Sequence, residues 1–112
     1  MKERDVRDYI NDLIESCGDI LEFTQGMSFE DFSADKKTVN AVIRCLEVIG
    51  EATKNLPGTF RLKYPDIPWK QMAGMRNKLI HEYFGVDRQM VWQVIERHIP
   101  QILPLLKKIS IK

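Results

Sequence analysis

Apolar residues recur at steps of three and four along most of the chain, the spacing of amphipathic α-helices. The first such stripe predicts a helix from about residue 4 to 24 and comprises Val6, Tyr9, Ile10, Leu13, Ile14, Cys17, Ile20 and Leu21. Gly26 interrupts the pattern. Ser28, with Asp31 three residues later, resembles a capping box and predicts a short helical turn containing Phe29 and Phe32.

A second long helix is predicted from about residue 34 to 55. Its apolar stripe is Val39, Val42, Ile43, Leu46, Ile49 and Thr53. Pro57 and Gly58 end it, and one helical turn from Phe60 to Tyr64 is expected in the connector that follows. Pro68 suits the first position of a third helix, because its missing N–H would be unpaired there.

The third helix is predicted to carry Trp69, Met72, Ala73, Arg76, Leu79, Ile80 and Tyr83 and to end at Gly85. Asp87 can cap a fourth helix, whose apolar positions are Met90, Val91, Val94, Ile95 and Ile99. Pro100 and Pro104 predict a kink or restart before a last segment to about Ile109. The chain has no run of alternating polar and apolar residues, so it is predicted to be all-α. The expected architecture is an up-down bundle of four to five helices that forms one domain over residues 1–112.

Composition narrows the classes of function. The net charge is only +1, so no broad surface for polyanions is expected, and any RNA contact must use local cations such as Arg76, Lys78, Arg88 or the Lys107–Lys108 pair. The chain shows neither a secretory signal nor an apolar run near the ~20 residues of a membrane span. Cys17 and Cys45 fall on apolar stripes, which predicts buried thiols in a cytoplasmic protein.

Metal and cofactor sites are not predicted in this chain. Its two histidines are seventeen residues apart, its cysteines are isolated, and its glycines do not form a phosphate-binding loop. His98, Trp69 and Trp92 are interpreted as structural residues.

The segment from Arg76 to Tyr83 carries the candidate chemistry. A guanidinium can hold a phosphate, and an imidazole titrating near neutral pH can move a proton. Arg76 and His81 therefore supply the minimum for cleaving RNA without a metal. With about 100° per residue, Tyr83 lies on the side of Arg76, and Asn77 neighbours His81 at i,i+4, where it can orient the imidazole.

Each of these residues also has a structural interpretation. Arg76 could pair with Glu51 on the second helix, and His81 could stabilise a helix C-terminus. Tyr83 could be a core aromatic whose hydroxyl reaches the rim.

The motif and its flanks resemble the HepT-like branch of the HEPN ribonuclease toxins. The resemblance rests on a motif in which Arg76 and His81 are separated by four residues, and His81 and Tyr83 by one. It extends over roughly residues 40 to 100, through three further segments: Ile49-Gly50-Glu51-Ala52, Tyr64-Pro65-Asp66-Ile67-Pro68-Trp69, and Phe84-Gly85-Val86-Asp87 followed by Val91-Trp92.

This resemblance implies a HEPN-like bundle and a homodimeric, metal-independent endoribonuclease. Arg76 and His81 would be catalytic, and Asn77 and Glu51 would support them. The products would be a 2′,3′-cyclic phosphate and a 5′-hydroxyl. The implied partner is a minimal nucleotidyltransferase antitoxin that uses ATP to AMPylate Tyr83, so this chain itself would need no cofactor.

Two other functions remain open from the sequence. The chain could be a non-catalytic subunit that presents nucleotide or RNA to the nucleotidyltransferase. It could also be an interaction bundle in which the motif is structural.

Overall fold

The structure is a computed structural model that describes residues 4–80 and 87–109, with the backbone alone for 76–80. The part of the chain it describes is helical and has no strands, which confirms the all-α prediction. Its seven α-helices are α1 (Val6–Phe23), α2 (Phe29–Ala34), α3 (Lys36–Lys54), α4 (Gly58–Leu62), α5 (Trp69–Ile80), α6 (Arg88–Gln93) and α7 (Ile99–Lys107). A π-helical turn, Val94–His98, joins α6 to α7.

Helix α3 lies at the centre, because it packs against α1, α5 and α2, while α7 packs on the other side of α1. The buried side chains of α3 include every position of its predicted stripe: the apolar Val39, Val42, Ile43, Leu46 and Ile49, and the polar Thr53. The Thr53 hydroxyl donates to the carbonyl of Ile49 at 2.8 Å and is thereby satisfied inside the core.

The helix starts follow from side-chain caps. Ser28 and Asp31 form the capping box at α2 that the sequence predicts, and Asp5 with Asp8 forms another at α1. Asp35 caps α3 by accepting from the N–H of Thr38, and this bond lowers the pKa of the Asp35 carboxyl. Gly26 has φ of 78°, which explains why a glycine separates α1 from α2.

The two C-terminal prolines lie in α7, a helix that begins at Ile99 after the π turn, which agrees with the predicted restart. Pro100 lies in the first turn of α7, and Pro104 is accommodated inside that helix. Just before them, the N–H of Ile99 donates to the carbonyl of Val94, five residues back. The wider π turn shifts the bonding pattern where Pro100 has no N–H to donate, so the chain stays helical instead of breaking.

Met75 is buried on α5 together with Trp69 and Met72. It is therefore a core residue that the predicted stripe omitted. Among the described residues, no helix is both long and apolar enough to cross a membrane.

Both cysteines are free and buried, as predicted. Burial, reinforced by neighbouring Cys45, raises the pKa of the Cys17 thiol from 9.0 to about 12. Burial also raises the pKa of Cys45. The folded state therefore favours the neutral thiols.

This raised pKa predicts a loss of stability in alkali. The contribution of neutral Cys17 is complete below the pKa of the unfolded thiol and is lost as pH rises through the range 9.0 to about 12, where only the unfolded chain ionises. Between pH 8 and 10.5, the free energy of unfolding should fall by up to about 2 kcal/mol more in the wild type than in Cys17→Ala. Urea titrations under reducing conditions measure the free energy of unfolding of both proteins. If it falls equally in the wild type and in Cys17→Ala, Cys17 is not the source of the alkaline destabilisation.

Candidate active site

Helix α5 carries the first half of the motif and is fixed firmly at its start. The Pro68 carbonyl accepts from the N–H of Met72 at 3.0 Å, so Pro68 precedes the helix rather than beginning it. The buried indole of Trp69 donates to the carbonyls of Arg61 and Tyr64 at 3.1 and 3.0 Å. These bonds tie α5 to the connector before it. Trp69 therefore has the structural role that the sequence predicts.

The four motif residues divide between described and undescribed positions. Arg76 and Asn77 lie in α5, on the turn after buried Met75, with their backbone described. His81 and Tyr83 lie outside the described residues. The arrangement of the predicted catalytic pair, and the accessibility of Tyr83, therefore stay predictions.

Glu51, the predicted supporting residue, lies on the exposed side of α3. It borders a groove of about 550 Å³ between α1 and α3, whose lining is Arg4, Tyr9, Asp12, Arg44, Glu47, Val48, Glu51, Ala52 and Asn55. Arg4 pairs with Asp12 at 2.8 Å and lies 4.9 Å above the ring of Tyr9. The groove thus contains both signs of charge. Because α3 packs against α5, Glu51 and Arg76 lie on adjacent helices.

The chain after the motif is held by α2. Asp87 caps α6 as predicted, its carboxylate accepting from the N–H of Met90 at 3.1 Å. Arg88 donates to the carbonyl of Ser33. The ring of Trp92 lies 5.2 Å from that of Phe32, centroid to centroid. Arg88, one of the cations expected near RNA, therefore joins α6 to α2.

The second histidine lies away from the motif. The Nε2 atom of Gln71 is 3.4 Å from both ring nitrogens of His98, which places this imidazole beside the first turn of α5. Ile80, the last described residue before His81, is about 14 Å farther along the helix axis. Across 4–80 and 87–109, no three His, Cys, Asp or Glu residues are grouped so that they could hold a metal ion.

Comparisons with known proteins agree on one family. The family model described as "Ribonuclease HepT-like" matches residues 13–109. The chain is 48% identical over 109 residues to "Putative RNase MJ0127" of Methanocaldococcus jannaschii, covering 97% of this chain and 90% of that one. It is 49% identical over 107 residues to "Probable ribonuclease HepT" of Thermococcus cleftensis, covering 96% and 97%. No solved structure matches the chain.

The cap at Asp87 gives a test of how the end of the motif is positioned. Asp87→Ala removes the acceptor for the Met90 N–H and should lower the free energy of unfolding by about 1 kcal/mol. Asp87→Asn retains a capping oxygen and should lose only a small part of that. Urea unfolding of the wild type and the two variants measures this difference. An equal loss of unfolding free energy in both variants would show that the capping oxygen contributes nothing.

Proposed function

Because the chain belongs to the HepT-like ribonuclease family, we propose that it is a metal-independent endoribonuclease and the toxin of a toxin–antitoxin pair. One observation carries the proposal: the family match spans the segment in which Arg76, Asn77, His81 and Tyr83 are all present at the motif spacing. Relatives named as RNases cover nearly the whole chain, which supports RNA as the substrate.

In the proposed reaction, His81 takes the proton from a ribose 2′-hydroxyl. The resulting oxygen attacks the adjacent phosphorus, and the bond from phosphorus to the 5′-oxygen breaks. The products are a 2′,3′-cyclic phosphate and a 5′-hydroxyl. Arg76 binds the phosphate and stabilises the charge that grows on its free oxygens.

Asn77 and Glu51 have supporting roles in this proposal. Asn77 orients the imidazole, being its i,i+4 neighbour on a helix. Glu51 would support Arg76 from α3, the helix against which α5 packs. Since a planar guanidinium pairs well with a carboxylate, such a contact would orient the fork of Arg76 toward phosphate.

The leaving 5′-oxygen needs a proton, and His98 is poorly placed to give it. Its contact with Gln71 holds it beside the first turn of α5, at the opposite end of that helix from Ile80, the last residue described before His81. His81 of the partner subunit, brought across a two-fold axis, would supply the second imidazole. The proposal therefore includes a homodimer with a composite site.

Regulation is proposed to act on Tyr83. A minimal nucleotidyltransferase antitoxin would transfer AMP from ATP to the phenol oxygen, with release of pyrophosphate. The added phosphate is an anion beside the position of Arg76, so it would occupy the cation that RNA needs. ATP is the partner's substrate, and this chain requires no cofactor.

His81→Ala should reduce cleavage of a labelled single-stranded RNA in EDTA by about 10²–10⁴-fold. His98→Ala is the matched control, because it removes the other histidine and should retain kcat. Circular dichroism checks that both variants keep the wild-type helicity. If folded His81→Ala cleaves like the wild type, the catalytic assignment is wrong; if wild-type protein binds RNA without cleaving it, the non-catalytic subunit is favoured.

Tyr83→Phe should keep most of the ribonuclease activity and lose neutralisation by the antitoxin, because it lacks the oxygen that accepts AMP. Intact mass spectrometry after co-expression with a minimal nucleotidyltransferase antitoxin measures the modification. The wild type should gain the mass of one or more AMP units and Tyr83→Phe none. A gain that persists in Tyr83→Phe would move the modification elsewhere.

A further inference from the structure

A surface hollow of about 560 Å³ lies beside the start of α5, lined by Pro68, Lys70, Gln71 and Gly74. Its size is within the range of small-ligand sites. The proline ring, the glycine backbone and the methylene stems of the two long side chains give it carbon surface, with an ammonium and an amide at its edge. Lys70 and Gln71 are exposed, so the hollow opens to solvent.

Gly74 is the unexpected residue in this lining. It lies in the interior of α5, where glycine is less favourable than alanine by about 1 kcal/mol. Neither its backbone nor its neighbours require it: its φ is not positive, and a Cβ built there meets no atom within 4 Å. Packing inside the described protein therefore does not explain the missing side chain. A glycine at this position leaves the helix backbone open to close approach from outside.

The position of the hollow indicates which ligand. Lys70, Gly74 and Asn77 occupy positions i, i+4 and i+7 of α5, which fall on one face of a helix. Asn77, the residue proposed to orient the catalytic imidazole, is about 10 Å along the helix axis from Lys70 on this face, whereas Arg76 lies about 120° around the helix from Lys70. An RNA strand whose cleaved nucleotide lies beside Asn77 would therefore continue along this face of α5 toward a cation and a shallow carbon surface.

We propose that this hollow binds a nucleotide of the RNA substrate next to the cleaved one. Its base or ribose would lie against Gly74 and Pro68, and its phosphate would contact the Lys70 ammonium. Gln71, whose amide contacts His98, would offer hydrogen bonds to the base edge. The inference rests on the proposed ribonuclease function and adds a substrate-binding subsite to it.

Gly74→Ala tests the subsite, because a methyl group would occupy the place of the ligand while improving the helix. The variant should melt roughly 3 °C higher than the wild type. Its KM for a short single-stranded RNA, and its Kd for that RNA by fluorescence anisotropy, should rise about tenfold with little change in kcat.

Gly18→Ala is the matched control. Gly18 is also inside a helix, α1, and a Cβ there likewise meets nothing within 4 Å. This variant should gain similar thermal stability and bind RNA as the wild type does. If the two alanine variants bind RNA equally well, the hollow takes no part in binding and the inference fails.

Lys70→Ala examines the phosphate contact. It should weaken RNA binding and lower the slope of log Kd against log salt by about 0.7, the value for one phosphate of a single strand. Lys36→Ala removes the same charge from the first turn of α3 and should leave the slope unchanged. Equal slopes in the two lysine variants would overturn the contact.

Failure of the subsite and failure of the ribonuclease proposal give different results. Cleavage by the wild type with no effect of Gly74→Ala rejects the subsite alone. RNA binding that Gly74→Ala weakens, without cleavage by any form of the protein, rejects the catalytic proposal and supports the subsite. Wild-type protein that neither binds nor cleaves RNA rejects both.

Discussion

Packing of α3 between α1 and α5 is the constraint on which the rest of the molecule depends. A wide apolar face lets α3 contact both neighbours, and its side chains Val39, Val42, Leu46 and Ile49 are nearly inaccessible to water. Burial of this kind stabilises by about 25 cal/mol per Å² of apolar surface. Because α5 packs on the same helix that carries Glu51, core packing also fixes the backbone of Arg76 and Asn77 relative to their proposed supporting carboxylate.

The flanks of the motif show how the fold holds a short functional segment from both sides. Before it, Trp69 fixes the start of α5 by its apolar surface and by two indole hydrogen bonds. After it, the Asp87 cap and the contacts of Arg88 and Trp92 fix α6 against α2. Neither anchor uses a residue of the proposed chemistry. The anchoring contacts on both sides of the motif therefore do not constrain the identity of the proposed catalytic residues.

Periodicity predicted the fold well where helices bury one continuous face. The bounds of α1 and α3 and the caps at Ser28 and Asp87 follow from apolar spacing and from side-chain oxygens before a helix. The π turn could not be predicted in this way, because apolar spacing does not reveal how a helix adapts around a proline. Met75 was missed because the predicted stripe passed from Met72 and Ala73 to Arg76, although Met75 is three residues after Met72 and is buried beside it.

For the site, the sequence supplied residue types and order, which suffice to recognise a motif but do not fix its geometry. Whether Arg76 and His81 meet depends on how their side chains are oriented, and a composite site depends also on the proposed partner subunit; neither follows from the periodicity of one chain.

The near-neutral charge of the chain limits how such an enzyme can hold a polyanion. With net charge +1, attraction over the whole surface is weak, so affinity must come from a few well-placed cations. The structure uses Arg4 in a pair with Asp12 and Arg88 in a contact with the Ser33 carbonyl. Lys70 is exposed on the helix that carries Arg76. Helix α5 thus carries two cationic residues about 9 Å apart along its axis, and in the proposed complex Gly74, which lies between them, leaves room for the substrate to approach the backbone.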